Sequence, residues 1–163
     1  NEQPFRLGPD PRYLFYSAQV KEVIAKCEYM ARERVGPIYM YGPIGSGKTS
    51  ILRRLTERLD TDKRYTIAYM ITTNVRRPNT FLKNIMEAFD VESVRSYDGN
   101  LRLFETFLAD QFKKKTTPVL LMDEAQNANR EALRLIHYLL NFETATTKLL
   151  QIVLAGQEAM PVR

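Results

Sequence analysis

The sequence has 163 residues, of which 44% are apolar, and this composition fits one domain with a hydrophobic core of its own. Its net charge of +5 comes from 24 basic and 19 acidic side chains, a balance that permits contact with nucleic acid without requiring it. A single cysteine, Cys27, excludes an intramolecular disulfide, and no apolar run approaches the roughly 20 residues that cross a bilayer. We therefore expect a cytoplasmic protein.

The first predicted helix follows Ser17, which can act as its N-cap, and it ends near Gly36. Its apolar residues follow the i, i+3, i+4 spacing that indicates one buried helix face. These residues are Val20, Val23, Ile24, Cys27, Met30 and Ala31. The segment before the helix, which contains Pro4 to Pro11, is predicted to be an ordered loop.

A glycine-rich loop comes next, between a short apolar strand at 38–41 and a helical pattern. It matches the P-loop pattern Gly-x4-Gly-Lys-Thr, and its strand–loop–helix context argues against an ordinary glycine turn. Such a loop points backbone N–H groups and a helix N-terminus at phosphate, while Lys48 reaches the β- and γ-phosphates and Thr49 binds magnesium. The candidate phosphate-binding residues are Gly42, Pro43, Ile44, Gly45, Ser46, Gly47, Lys48, Thr49 and Ser50.

Three further helices and a strand are predicted before the next motif. Ile51, Leu52, Leu55 and Leu59 form the buried side of the helix after the loop, and 65–72 is rich in β-branched and aromatic residues typical of a strand. Two amphipathic helices follow on either side of a linker. Their apolar residues are Phe81, Leu82, Ile85, Met86 and Phe89 in one, and Leu101, Phe104, Phe107, Leu108 and Phe112 in the other.

The pair Asp123-Glu124 ends a nearly all-apolar third strand at 118–122. If this strand lies beside the strand that enters the P-loop, Asp123 is near Thr49 and can help to hold magnesium. Glu124 can then act as the base for water that attacks the γ-phosphate. The alternative is an ordinary helix N-cap followed by a first-turn acid, which the P-loop upstream makes less favoured.

The last elements are a helix marked by Leu133, Ile136, Leu139 and Leu140 and a fourth strand at 149–155. Alternation of strands and helices predicts right-handed crossovers and a parallel sheet. The expected fold is therefore a three-layer α/β/α sandwich with its ligand at the carboxyl ends of the strands.

Four stretches of the chain resemble the AAA+ class of P-loop ATPases, in the branch that contains the ExeA/GspA secretion ATPases and the transposition regulators TnsC, TniB and MuB. They are residues 4–17, the P-loop, Leu121-Met122-Asp123-Glu124-Ala125-Gln126-Asn127 and residues 149–157, which ends in Ala155-Gly156-Gln157. The resemblance spans nearly the whole chain as one nucleotide-binding domain, 1–163. It implies ATP or ADP and Mg²⁺ as ligands and a self-assembled ring or filament.

The resemblance also implies roles for several residues. Segment 1–16 would pack near the adenine, with Phe5, Arg12 and Tyr13 in contact with the base. Gln157 stands where such ATPases place a polar sensor of the γ-phosphate. Asn74 stands where some members restrain the catalytic glutamate, a role open also to Thr72 or Thr73.

Family members continue into a fifth strand, an arginine finger and a helical lid, and this sequence ends before all three. We therefore expect the chain by itself to bind nucleotide and to hydrolyse it poorly. Three functions share the site: ATP-dependent assembly that regulates DNA transposition or a related DNA transaction, which the pI of about 9.3 favours; an ExeA-like secretion ATPase; and a nucleotide-switched scaffold with little hydrolysis.

Basic and titratable residues outside these motifs carry weaker signals. Arg76-Arg77 after the second strand fits a solvated loop, with DNA or partner contact as the alternative. Lys113-Lys114-Lys115 fits the end of a helix, where its charge favours the dipole. His137 is expected on a helix surface or interface rather than in catalysis.

Overall fold

Four parallel strands form the central sheet in a computed structural model that describes residues 18–75 and 77–157. The strands are β1 (Ile38–Tyr41), β2 (Tyr65–Ile71), β3 (Thr117–Asp123) and β4 (Gln151–Gly156). The helices are α1 (Ala18–Glu33), α2 (Lys48–Asp60), α3 (Pro78–Ala88), α4 (Tyr97–Lys113) and α5 (Arg130–Leu140), and a 3₁₀ turn covers Ala125–Asn127. Phe5, Arg12, Tyr13, Ser17 and Arg76 lie outside the described residues.

The strand order is β1-β4-β3-β2, which corrects one prediction about neighbours. β3 was expected beside β1, but β4 lies between them, with Val153 paired to Ile38 on one side and to Leu121 on the other. Parallel strands are joined by crossover connections rather than by tight turns, so consecutive strands need not be neighbours in the sheet. The local sequence pattern does not specify which position each strand takes. The predicted three-layer α/β architecture is nevertheless confirmed.

Helices cover both faces of this sheet and create two hydrophobic cores. α1 and α2 pack on one face against alternate residues of the strands, including Val119, Leu121 and Val153. α3, α4 and α5 pack on the other face against Leu120, Met122 and their neighbours in β4. Burial on both faces explains why β3 and β4 are almost continuously apolar, since parallel strands have no solvent-facing side.

Buried polar side chains hold two of the segments that connect these elements. Asn100, fully buried in α4, donates to Asn79 Oδ1 (2.8 Å) and to the Val94 carbonyl (3.1 Å) and accepts from the Val94 amide (2.7 Å). Gln151, buried at the start of β4, accepts from the Gly36 amide (3.3 Å) before β1. Each bond satisfies a group that would otherwise be stranded away from water.

Two local details could not be foreseen from the apolar pattern. Leu133, one of the residues that mark α5, is 41% exposed, and Leu135 is buried. β4 begins at Gln151 rather than at 149, because the Leu149 amide bonds to the Phe142 carbonyl (2.9 Å) in a turn after α5. None of the described helices is long and apolar enough to span a membrane.

Candidate functional site

The glycine loop joins the end of β1 to the start of α2 and opens toward the carboxyl edge of the sheet. The Gly42 amide donates to the Gly156 carbonyl (3.3 Å), which anchors the loop to the end of β4. Gly47 precedes α2 with φ 85°, in the left-handed region that side chains with a Cβ rarely adopt. The first helical bond runs from the Ile51 amide to the Gly47 carbonyl (2.9 Å), so the amides of residues 48–50 have no partner within the helix.

A cavity of about 410 Å³ lies over this helix end. The first turn of α2 carries no acidic residue of its own, and the positive end of the helix dipole favours an anion there. Lining residues come from the loop, from the end of β3 and from the end of β4: Ile44, Gly45, Gly47, Lys48, Thr49, Ser50, Glu124 and Gln157. The predicted sensor residue and the predicted base therefore share one cavity with the P-loop.

The Lys48 ammonium is held by the loop itself. It donates to the carbonyls of Gly42 (2.9 Å) and Pro43 (2.8 Å) and to Ser46 Oγ (3.4 Å). Among the described residues it has no carboxylate partner, so its positive charge remains available to an anion in the cavity. This combination of amides, dipole and cation suits phosphate.

Asp123 is 3% exposed and joins three elements through its carboxylate. Oδ2 accepts from the Thr49 hydroxyl of α2 (2.6 Å) and the Tyr69 hydroxyl of β2 (3.1 Å), and Oδ1 accepts from the Glu124 amide (2.9 Å). Asp123 thus contacts Thr49, as predicted, although β4 lies between β3 and β1, the strand that enters the loop. The loop reaches this position because α2 packs across β3 on that face of the sheet.

Tyr69 is a site residue that the sequence reasoning missed. Burial, together with the negative charge of Asp123 and the hydrogen bond to it, raises the pKa of Tyr69 to about 12, with Arg53 acting in the opposite direction. The hydroxyl therefore remains protonated at neutral pH and serves as a donor. A signal exists only once the register is known: Ile71 pairs with Asp123, and Tyr69, two residues before Ile71, lies on the same face of the sheet.

Glu124 follows Asp123 in a left-handed backbone conformation, φ 53° and ψ 39°. Its carboxylate accepts a hydrogen bond from Gln126 Nε2, and Gln126 Oε1 accepts from the Gln157 amide (3.1 Å). A non-glycine residue with positive φ is uncommon and, at a cavity, is an observation that points to function. The sequence pattern includes Gln126 only as one residue of the stretch that resembles the family, and it predicts no role for this side chain.

The remaining predicted site residues lie in different surroundings. Asn74 is exposed after β2 and makes no hydrogen bond to Glu124 among the described residues, so its assigned role stays a prediction. The Thr72 hydroxyl, an alternative for that role, is buried and has no hydrogen-bond partner in the part of the chain that the structure describes. His137 is exposed on α5, as expected.

Thr49 and Asp123 are the residues that could hold magnesium, because both offer oxygen and lie in contact. The described residues contain no group of three or more His, Cys, Asp or Glu that could hold an ion by themselves. Magnesium is commonly bound by one or two protein oxygens together with substrate phosphates and water. The donor set therefore fits a magnesium–nucleotide complex better than a metal bound by protein alone.

Comparison with known proteins agrees with this geometry. A family model described as AAA domain matches residues 31–161. The general secretion pathway protein A of Aeromonas hydrophila is 31% identical over 163 residues, a match that covers 96% of this chain and 28% of that protein. The chain thus spans little more than a quarter of this relative.

Two solved structures illustrate the similar fold. CDC6P from Pyrobaculum aerophilum is 18% identical with a TM-score of 0.69, and the match covers 95% of this chain and 41% of that one. Drosophila ORC bound to DNA is 21% identical with a TM-score of 0.63, and the match covers 87% of this chain and 38% of that one. At these identities the likeness shows the fold alone.

Proposed function

Because the chain belongs to the AAA domain family, we propose that it binds ATP with magnesium and hydrolyses it to ADP and phosphate. The observation that carries the proposal is the 2.6 Å hydrogen bond between Thr49 and Asp123. It joins the phosphate loop to the strand end that presents Glu124 to the same cavity. A simple phosphate clamp would need no such carboxylate pair.

Each residue has a distinct part in the proposed reaction. The amides at the start of α2 and the Lys48 ammonium bind the β- and γ-phosphates, and Thr49 and Asp123 hold the metal. Magnesium, when bound, neutralises negative charge on the phosphate oxygens. Glu124 accepts a proton from water as the water oxygen bonds to the γ-phosphorus, and the bond from that phosphorus to the β,γ-bridging oxygen breaks.

Other assignments extend this proposal to the edges of the site. Gln157, which lines the cavity, would contact the γ-phosphate or the attacking water. Phe5, Arg12 and Tyr13 would contact the adenine from segment 1–16, within one nucleotide-binding domain that covers the chain. Asn74, which is exposed after β2, would need to turn inward to restrain Glu124.

The decisive experiment is nucleotide binding by Lys48→Ala. Removing the cation from a phosphate site costs several kcal/mol, so we expect affinity for Mg–ATP to fall at least about 30-fold in calorimetry. Lys26→Ala is the matched control, because Lys26 lies on α1 in an exposed pair with Glu22 (2.7 Å) and should leave affinity unchanged. Equal affinities in parent and Lys48→Ala, with both folded by circular dichroism, would refute the site.

For the cellular process we propose an ATPase that energises protein secretion. Support comes from the relative named as a secretion pathway protein, which aligns with 96% of this chain. Self-assembly into a ring or filament, as the AAA+ resemblance implies, would place the edges of neighbouring domains in contact. The secretion role predicts that a deletion strain accumulates secreted enzymes inside the cell, and normal secretion would contradict it.

A DNA-linked process is the second candidate, supported by the net charge of +5. In this form ATP binding would drive assembly on DNA, as the resemblance to the transposition regulators TnsC, TniB and MuB implies. Duplex binding by the full-length protein in the presence of ATP separates this candidate from secretion. A nucleotide-switched scaffold is a separate third candidate, in which ATP binding would switch assembly with little hydrolysis.

A further inference from the structure

Gln126 connects the two ends of the candidate catalytic apparatus with one side chain. Its Nε2 donates to the Glu124 carboxylate, and its Oε1 accepts from the Gln157 amide at 3.1 Å. The residue lies in the 3₁₀ turn after β3, whereas Gln157 is the first residue after β4. The amide therefore spans the gap between two adjacent strand ends, at the edge where the cavity lies.

Both contacts matter because, within residues 18–75 and 77–157, no other side chain binds the Glu124 carboxylate or the Gln157 backbone amide. Among the described residues, the Glu124 carboxylate has no other hydrogen-bond donor, and no ion pair constrains it. Its backbone is already committed to the left-handed region, with its amide bonded to Asp123 Oδ1 (2.9 Å). Rotation about its side-chain bonds is thus the freedom that remains, and Gln126 removes it.

We infer that Gln126 is a positioning residue, which holds the Glu124 carboxylate in register with the end of β4 that carries Gln157. The inference rests on the proposed ATP hydrolysis and deepens it. An amide suits the task because it donates to a carboxylate with one end and accepts from a backbone amide with the other, without adding charge. Gln126 does not itself line the cavity, so it acts through Glu124 and Gln157.

A purely structural role for Gln126, as a brace for the turn, makes different predictions. A brace needs only the bond to the Gln157 amide, which a carboxylate at position 126 would accept equally well. A positioning residue needs the donor to Glu124, which a carboxylate lacks and replaces with like-charge repulsion. Gln126→Glu therefore separates the two roles, and Gln126→Met, with similar length and no hydrogen bonds, removes both contacts.

The experiment compares steady-state ATP hydrolysis by the full-length protein and its variants. We expect Gln126→Met to lower kcat roughly 10- to 100-fold, the usual effect of a misplaced catalytic group, with KM and ATP affinity within about 2-fold of the parent. Gln126→Glu should be at least as slow. Gln111→Met is the matched control, since Gln111 is also half-buried and accepts from the Thr66 hydroxyl (2.9 Å) near the opposite edge of the sheet.

A double-variant cycle tests whether Gln126 acts through Glu124. In a Glu124→Gln background, adding Gln126→Met should change the residual rate by less than about 3-fold, because the group that it positions is already lost. Hydrogen exchange at the Gln157 amide, which needs no catalysis, should accelerate in Gln126→Met and remain slow in Gln126→Glu.

The outcomes distinguish this inference from the proposed function. If the parent hydrolyses ATP and Gln126→Met or Gln126→Glu retains the parental kcat, the positioning role is wrong and the ATPase proposal stands. If the parent binds ATP but has no hydrolysis, both fail together. If the effects of Gln126→Met and Glu124→Gln on the activation free energy of hydrolysis were fully additive, the inference would also be overturned, since Gln126 would then act independently of Glu124.

Discussion

Glu124 combines a constrained backbone with a side chain that faces the cavity. If it is the base, Glu124→Gln should keep ATP binding and slow hydrolysis by roughly 10²- to 10⁴-fold, the usual range for a lost acid–base group. Phosphate release and calorimetry on the full-length protein measure the two effects separately. Glu105→Gln, an exposed change on α4, is the control, and an unaltered rate in Glu124→Gln would move the base elsewhere.

Tyr69 offers a test of how Asp123 is held. In Tyr69→Phe one of the two donors to Asp123 Oδ2 is lost, and a net hydrogen bond of this kind corresponds to about 2- to 12-fold in affinity. We expect that loss of affinity in calorimetry with magnesium and little change in affinity in EDTA, because the proposed role of Asp123 is to hold the metal. Tyr65→Phe, at the far end of the same strand, is the control. An equal loss with and without magnesium would assign Tyr69 a general packing role.

At this scale the predictable residues are those whose motif states their chemistry. Lys48, Thr49 and Asp123 could be selected because their spacing and strand context limit what they can do. Gln126 and Tyr69 could not, since their roles depend on where a side chain ends in space. A glutamine in a turn and a tyrosine in a strand are common, and only the register and the turn geometry bring them to the site.

Among the elements, the connection between α3 and α4 depends on one buried amide. Asn100 makes three hydrogen bonds to Asn79 and Val94, and each contributes about 1 kcal/mol net. Asn100→Ala should therefore lower the free energy of unfolding by about 2 to 4 kcal/mol in urea denaturation. Asn141→Ala, on the exposed end of α5, should change it by less than about 0.5 kcal/mol. A small effect in Asn100→Ala would mean that the linker between α3 and α4 is held by its apolar contacts.

The elements themselves were largely predictable, and their order in the sheet was not. Apolar runs in β3 and helical spacing in α1 reflect local burial, which a periodic sequence records directly. The insertion of β4 between β1 and β3 depends on crossover lengths and on which helix packs where, and no local pattern records this. Thr49 and Asp123 are in contact even though β3 is not the neighbour of β1. The wrong strand order therefore affected the predicted fold more than the predicted site.

For the whole molecule, the charge of +5 gives a testable distinction between the two candidate processes. Arg77 is exposed before α3, at the same edge of the sheet as the cavity, and its neighbour Arg76 lies outside the described residues. If both contact DNA phosphates in an ATP-bound assembly, replacing them with alanine should reduce the salt slope of duplex binding by at most about two units. Nucleotide affinity should not change.

The control pair for this measurement is Lys114→Ala with Lys115→Ala, because these exposed lysines precede β3 at the opposite edge. Salt titrations of duplex binding, with ATP present, should then give the parental slope for the control and a shallower slope for the arginine pair. Identical slopes in all three proteins would return the arginines to a solvated loop. Absence of duplex binding by the parent at low salt would leave secretion as the better-supported process.

Cys27 lies on the buried face of α1 at 2% exposure, and burial raises the pKa of its thiol to about 11. At pH 8 roughly one molecule in a thousand then carries a thiolate, and that thiolate is shielded from solvent. Alkylation must wait for α1 to separate from the sheet. Since the chain has one cysteine, the rate of modification reports on these openings, without a label that perturbs the fold. Cys27 is thus an intrinsic probe of local unfolding, on the face of the sheet that supports the phosphate loop.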